Sequence, residues 1–405
     1  MPPSFFIFWF PQTPLIVWRA QLVQLFFQNR NSAVHHIGVN TRVARAWRGH
    51  SVAGLTVAAA LAYAGAAPAF EETTPHPGAR AMGMAGVFGP QADDCSAVWY
   101  NPGGLPRPDM IRRDITVEYG ALPSSTSNRE YQAASALKFA CGYWAANDGR
   151  LGVGLAYATL YRLGFNIEEV AQPLSLKTFG PTDITYRQAS MLLSTALNQQ
   201  LAVGGTLDFV WTDVDCSYDT CVDFGAMALS ASFGAAWDMV RTPSQRIAVT
   251  GLWRARAALR YYDTPGAGIG AVLDKYVPDR PQTFGIGVHA QFSTRYAAVN
   301  GNATIEHISW STASASRAPS PDFNKLGAGG EILVPISDGA SFAVRAGVTS
   351  ARADHGDVSA NVYALGTGIT WGSGHGIDIA LERRTRKDFA SNGINHVSMS
   401  YSWQR

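Results

Sequence analysis

The chain has 405 residues, of which 15% are Asp, Glu, Lys or Arg, compared with about 25% in typical soluble proteins. So low a charge content argues against an ordinary soluble surface, and the 40 glycines and 11% aromatic residues support the same conclusion. Because 32 Lys and Arg residues nearly balance 30 Asp and Glu residues, the composition excludes the strongly basic field that nucleic-acid partners require.

Residues 1–69 are typical of an N-terminal extension followed by a secretory signal peptide. Three arginines precede the apolar run SVAGLTVAAALAYAGAA, which leads into the small-x-small site Ala67-Pro68-Ala69. We therefore predict cleavage after Ala69. An uncleaved anchor is the alternative, although the run is short and rich in Ala and Gly for a membrane-spanning helix.

The next segment, GARAMGMAGVFGPQADDCSAVWYNPGGL (residues 78–105), combines small residues with an acidic pair and an Asn-Pro break. Asp93 and Asp94 are suited to capping a short helix through CSAVWY. That helix should end at Asn101, because the residue before Pro102 is disfavoured in the helical region, and the following Gly103-Gly104 permits positive φ. The pattern predicts a compact, irregular element with little surface of its own.

From residue 112 onwards, apolar and polar residues alternate with period two, which is typical of β-strands. The last run is the clearest, since Val397, Met399 and Tyr401 share one face while Ser398 and Ser400 share the other. Such runs predict about fourteen strands, near residues 112–123, 129–145, 150–164, 183–198, 201–215, 226–240, 245–261, 281–292, 296–310, 324–336, 340–353, 358–373, 376–386 and 395–405.

Short and long connections alternate between these predicted strands. The long ones cover residues 165–182, 216–225, 262–280, 311–323 and 387–394. Bacterial outer-membrane barrels have this asymmetry, with tight periplasmic turns and long external loops. A soluble β-sandwich is the alternative, but its outward face should be charged, whereas the polar face here is mostly Ser, Thr, Gly and Asn. We therefore predict an all-β fold, a transmembrane antiparallel barrel.

Two of the four cysteines lie close together in the sequence. Cys216 and Cys221 flank the polar sequence SYDT, which predicts a loop-closing disulfide in an exported protein. A metal site is the weaker alternative, because no His or further Cys lies nearby in sequence. The sequence leaves open whether Cys95 and Cys141 are paired.

No constellation of residues predicts catalysis, a cofactor or a metal site. His289, His307 and His375 lie on separate predicted strands or turns, and their spacing is not that of metal ligands. Serine-hydrolase, phosphate-loop and dinucleotide motifs are absent from the sequence. We therefore predict that the protein is not an enzyme.

Predicted strand seven, QRIAVTGLWRARAALRY, carries four arginines of one parity: Arg246, Arg254, Arg256 and Arg260. An arginine on the lipid face near the midplane costs roughly 2 to 4 kcal/mol, so we expect all four on the lumen face. With Lys138, the last three are candidates for binding a ligand carboxylate. The alternative is that they stiffen the barrel by pairing with lumen acids, which include Asp208, Glu306, Glu331, Asp378 and Glu382.

Residues 78–105 resemble the N-terminal signature of the FadL-type outer-membrane transport family. The Asn101-Pro102 pair matches the family's Asn-Pro-Ala step, and Gly103 stands where Ala is usual. The resemblance implies that residues 70–110 form a hatch, or plug, inside a barrel formed by residues 111–405. The hatch motif then contains Gly83, Gly86, Asp93, Asp94, Asn101, Pro102 and Gly103. We interpret its glycines as packing positions, with ligand contact as the alternative.

The same resemblance implies a function and a location. The family carries long-chain fatty acids and other hydrophobic compounds passively across the bacterial outer membrane. The expected partners are therefore hydrophobic small molecules, namely fatty acids and aromatic hydrocarbons, and outer-membrane lipids around a monomer. The alternative is a non-transporting barrel that acts as a scaffold for assembly or secretion partners.

Overall fold

The computed structural model describes residues 76–106, 113–121, 124–125, 135–146, 149–166, 181–216, 225–261, 279–309, 322–337, 339–354, 359–372, 374–386 and 394–405. The predicted extension and signal peptide, Cys221 and most of the long connections lie outside these residues, so those predictions stay predictions. In the part of the chain that the structure describes, no helix is long and apolar enough to span a lipid bilayer.

Fourteen long strands form one antiparallel sheet: β1 (Arg113–Ala121), β2 (Ser135–Ala146), β3 (Leu151–Asn166), β4 (Pro181–Ala196), β5 (Leu201–Cys216), β6 (Gly225–Arg241), β7 (Gln245–Arg254), β8 (Gln282–Ser293), β9 (Ala298–Ser309), β10 (Phe323–Ser337), β11 (Ala340–Ala353), β12 (Ser359–Trp371), β13 (His375–Arg386) and β14 (Ile394–Gln404). Each strand pairs with the next, and β1 pairs with β14, where Ile115 lies opposite Trp403. Two-residue strands at Ser124–Ser125 and Arg260–Tyr261 pair with β3 and β6. The closed barrel confirms the predicted fold class and strand number.

The barrel is apolar outside and polar inside. On β14, Val397 and Met399 are 50% and 52% exposed, whereas His396, Ser398 and Ser400 are at most 4% exposed. A soluble sandwich buries its apolar face, so this pattern excludes the sandwich. In lipid, a closed barrel with an apolar outer belt satisfies every backbone hydrogen bond. The chain therefore forms a transmembrane barrel of the outer-membrane type.

The two ends of the barrel differ. Tight turns join the strands at one end, such as Asn198–Gln200 between β4 and β5. Exposed tryptophans lie near that end on the outer face, among them Trp144, Trp237 and Trp371. Aromatic residues in this position suit a bilayer interface. By the usual orientation of such barrels, the tight turns lie at the periplasmic end and the opposite ends of the strands lie at the external end.

Residues 76–106, called the N-terminal segment below, lie inside the barrel. The segment contains two helical turns, α1 (Ala79–Met82) and α2 (Ala97–Tyr100). Ahead of α2, Asp94 Oδ1 accepts a hydrogen bond from the Ser96 amide at 2.9 Å. The helix ends at Asn101, which is extended with φ −161°. Helix α1 contacts β12, β13 and β14, and α2 contacts β3 and β4, so the two helical turns touch separate parts of the wall.

Strand β7 ends at Arg254, seven residues before the predicted end at residue 261. The ladder has Arg254 opposite Ser232, and the chain rejoins β6 with Arg260 opposite Met227. Between these two pairs the chain advances six residues after β7, from 254 to 260, while β6 advances only five, from 232 to 227. The pairing register is therefore shifted by one residue. A shift of one residue reverses the side-chain face, so Arg260 lies on the outward face beside Met227. The prediction of a lumen position is wrong for Arg260.

Candidate functional site

Arg80 ties the N-terminal segment to the wall. Its Nη2 donates a hydrogen bond to Glu331 Oε1 on β10 at 2.8 Å, and its Nη1 donates to Asp93 Oδ1 at 2.8 Å and Asp94 Oδ2 at 3.1 Å. Glu331 is 1% exposed and also accepts a hydrogen bond from Arg345 Nε on β11 at 2.6 Å. Burial disfavours the charge of Arg80, but the Asp93 and Glu331 carboxylates outweigh this and raise its pKa well above the ordinary value. The acidic pair of the motif therefore holds the cation that anchors the segment.

A second set of charged contacts holds the start of the segment. His76 Nδ1 lies 2.6 Å from Glu382 Oε2 on β13, and burial lowers the pKa of His76 despite that carboxylate. The Gly78 amide donates to Glu118 Oε2 on β1. Lys138, predicted as a ligand residue, pairs with Glu118 Oε1 at 3.2 Å. Its contacts therefore fit the structural alternative, in which a lumen cation neutralises a lumen acid.

Glycines on the inner face of the wall make room for the segment. A Cβ at Gly347 on β11 would lie 2.2 Å from the backbone C and O atoms of Met84. A Cβ at Gly234 on β6 would lie 2.1 Å from Asn101 Oδ1 and 2.7 Å from Pro102 Cδ. Real Cβ atoms do not approach other atoms so closely, so any side chain at either position must displace the segment. The backbone of the N-terminal segment therefore packs directly against the backbone of the wall at these glycines.

The motif glycines have different structural roles. Gly86 has φ +74°, a conformation that favours glycine. Gly103 and Gly104 do not adopt the positive φ that the sequence permits at these positions. Gly103 instead permits close approach, since its Cβ would lie 2.6 Å from Gly234 O. At Gly83, a Cβ would lie 3.0 Å from Gly366 Cα, again a packing contact.

The Asn-Pro-Gly turn lies against a thin part of the wall. Asn101 Nδ2 donates to Ala235 O at 3.2 Å, and Gly204 on β5 is paired directly with Gly234 on β6 behind the turn. With no side chains on this pair, the wall is one backbone layer thick. Outside it lies an open apolar groove of about 800 Å³, lined among others by Leu193, Phe233, Trp253 and Phe284.

Arg254 is buried beside the segment, with 5% of its surface exposed. Its guanidinium carbon lies 4.6 Å from the centre of the Trp99 ring, and its Nη2 donates to Trp99 O at 2.5 Å. Its Nε is buried without a hydrogen-bond partner in the described part of the chain. A buried guanidinium with an unused N–H can donate a hydrogen bond to an anionic oxygen.

The other lumen arginines near Arg254 are engaged with carboxylates. Arg256, half-exposed beyond the end of β7, donates from Nε to Asp279 at 2.8 Å. Arg280, which the sequence prediction missed, pairs with Asp208 at 3.0 Å. Asp208 also interacts electrostatically with Arg254, so two guanidinium groups share this carboxylate. Asp208 therefore balances at most one of these two guanidinium groups.

A disulfide joins the segment to the wall. Cys95, just ahead of α2, is bonded to Cys141 on β2, which is 46 positions further along the sequence, and their Cα atoms are 5.7 Å apart. The Cys95 amide also donates to Asp114 Oδ2 on β1 at 2.9 Å. The sequence left this pairing open, because no local signal links two cysteines so far apart.

No protein-family model matches the chain, and no curated protein matches it in sequence. The structure is similar to that of a Pseudomonas aeruginosa FadL homologue, with 15% identity and a TM-score of 0.54 over 83% of this chain and 98% of that one. The chain has the FadL-type fold. The toluene transporter TbuX of Ralstonia pickettii is also similar, with 15% identity and a TM-score of 0.50 over 81% of this chain and 97% of that one. The FadL-type fold agrees with the resemblance found at residues 78–105.

Proposed function

We propose that this protein is an outer-membrane channel for the passive uptake of hydrophobic compounds, with the N-terminal segment as its hatch. The observation that carries the proposal is a barrel whose lumen contains a segment fixed to the wall by Arg80, by His76 and by the Cys95–Cys141 disulfide. A segment fixed in the lumen at these positions would block free diffusion of water-soluble solutes. Solutes then pass only where local movement of the segment opens a route. The similar structures include a toluene transporter, which supports hydrophobic cargo.

We further propose long-chain fatty acids as the first ligand class. The support is Arg254, which lies against the apolar ring of Trp99 and whose buried Nε has no hydrogen-bond partner in the described part of the chain. A carboxylate would take a charge-assisted hydrogen bond from the guanidinium while the acyl chain stays among apolar side chains. Aromatic hydrocarbons lack the carboxylate and would use only the apolar contacts.

In this proposal the ligand enters from the external ends of the strands and reaches the segment beside Trp99. Movement of Asn101–Gly103 away from the wall then opens a route onward or sideways. The thin wall at Gly204 and Gly234, with the apolar groove outside it, supports the sideways route. The protein would act as a monomer surrounded by outer-membrane lipids.

Disruption of the gene tests the function directly. We expect uptake of labelled oleate, toluene or both to fall, and to return when the gene is supplied on a plasmid. Uptake of a small hydrophilic sugar through general porins is the control and should not change. Unchanged uptake of both hydrophobic compounds would reject the transport proposal, and a stoichiometric partner protein in the purified sample would favour the scaffold.

Arg254→Ala tests the ligand class separately. Because a hydrogen bond to a charged group contributes about 1.5–3 kcal/mol, we expect oleate to bind roughly 10- to 100-fold more weakly while toluene binding is unchanged. The matched control is Arg256→Ala, which removes a neighbouring guanidinium that is already paired with Asp279. Binding is measured by tryptophan fluorescence on detergent-purified protein. Equal oleate affinity in wild type and Arg254→Ala would remove Arg254 from the site without touching the channel proposal.

A further inference from the structure

Three potential metal ligands meet at the rim of the barrel opposite the tight turns. They are His307 near the end of β9, Asp322 just before β10 and Asp354 just after β11, and one ligand atom from each lies within 4.8 Å of the others. The sequence did not indicate this cluster, because its members are 15 and 32 residues apart, as their numbers 307, 322 and 354 show. The antiparallel ladder alone brings the three strand ends together.

Asn324 fixes the orientation of the imidazole. Its amide nitrogen, Nδ2, donates to Asp354 Oδ1, because a carboxylate can only accept. The amide oxygen of Asn324, its Oδ1, must then be the atom that faces His307. That Oδ1 lies 3.0 Å from His307 Nδ1 and can only accept, which makes Nδ1 the protonated nitrogen. In the neutral form of the ring, the lone pair is then on Nε2, which lies 3.9 Å from Asp322 Oδ2.

The arrangement therefore brings three potential metal-binding groups within 4.8 Å of one another. They are the lone pair of His307 Nε2 and the carboxylate oxygens of Asp322 and Asp354. The Asp354 amide donates to Asp322 O at 2.8 Å, which fixes the two acidic residues relative to each other. A metal-binding histidine commonly donates its second ring nitrogen to an oxygen in this way, which sets the tautomer and the ring orientation. The contact with Asn324 is of that kind.

We infer that His307, Asp322 and Asp354 form a binding site for a divalent transition-metal ion, with Zn²⁺ as the best match. Imidazole nitrogen selects Zn²⁺ and its neighbours over Mg²⁺ and Ca²⁺, which take oxygen ligands alone. Ligands at about 2.0–2.2 Å from Zn²⁺ lie roughly 3.4 Å apart, so small side-chain rotations close the present cluster onto an ion. The ion would tie the outer ends of β9, β10 and β11 and keep one coordination position for water.

Equilibrium dialysis of the untagged, detergent-purified protein against Zn²⁺ tests the site. We expect one tightly bound Zn²⁺ per chain, lost in His307→Ala and in Asp354→Asn. Asn324→Ala keeps every ligand and removes only the orienting contact, so it should weaken binding by about 10- to 100-fold. The matched control is His375→Ala, an exposed histidine at the opposite end of the barrel that contacts Tyr401. That variant should bind Zn²⁺ as wild type does.

Heat-dependent migration in gel electrophoresis checks that each variant forms a folded barrel. If folded His307→Ala retained the bound Zn²⁺, the site would be elsewhere and the inference would be wrong. Stoichiometric binding of Ca²⁺ in place of Zn²⁺ would contradict the assignment to a transition metal. A loss of Zn²⁺ in His375→Ala equal to that in His307→Ala would likewise overturn it, because the signal would then come from unspecific histidine binding.

Discussion

Replacing Gly347 by alanine is expected to displace the N-terminal segment and to leave a barrel that conducts ions. The new Cβ would lie 2.2 Å from the backbone C and O atoms of Met84. Backbone atoms cannot rotate away as a flexible side-chain end can, so the segment itself must move. Overpacking of this kind typically costs about 1–3 kcal/mol. Alanine fits the strand conformation of β11, so the barrel should still fold.

Single-channel conductance in planar bilayers measures the effect. Wild type should conduct rarely, while Gly347→Ala should show frequent or larger openings. The matched control is Gly301→Ala on the outward face of β9, where the nearest atom to the new Cβ, Ala290 O, is 4.0 Å away. Equal conductance of the two variants would contradict the tight fit between segment and wall, and with it the hatch role.

Removal of the Cys95–Cys141 disulfide should loosen the segment without opening the wall. A cross-link that closes a loop of 46 residues stabilises a protein by up to about 4 kcal/mol in the chain-entropy model. In the double variant Cys95→Ser, Cys141→Ser we therefore expect a lower unfolding temperature and faster amide exchange within residues 76–106. Strand β2 should keep its protection, because its ladders to β1 and β3 do not depend on the bond.

Hydrogen-exchange mass spectrometry of the detergent-purified protein gives both readouts. The control is Cys216→Ser, Cys221→Ser, which removes the disulfide predicted from sequence at the end of β5, away from the segment. That variant should leave exchange in residues 76–106 as in wild type. Free thiols at both Cys95 and Cys141 in protein purified under oxidising conditions would refute the prediction before any variant is made.

The charged residues show how far sequence reasoning reached in the candidate site. It named Arg254 and Glu331, and both are buried in the lumen. It could not assign the partners of these residues. Glu331, for example, binds Arg80, which is 251 positions away in sequence and contacts it only because the N-terminal segment lies in the lumen. It also missed Arg280, which lies two residues before β8 and pairs with Asp208. A single arginine at the end of the predicted long connection 262–280 gives no local indication that it pairs with an aspartate on β5.

The sequence by itself determined the membrane barrel, because the face of a strand residue depends only on its parity, which is local information. The number of strands, the apolar outer belt and the short helix between Asp94 and Asn101 followed from such local patterns. Tertiary structure alone decided the rest. A one-residue register shift put Arg260 outside, packing of the N-terminal segment against the wall brought Cys95 to Cys141, and the ladder of β9, β10 and β11 brought His307 to Asp322 and Asp354. These contacts depend on register and curvature summed over many strands, which no short stretch of sequence specifies.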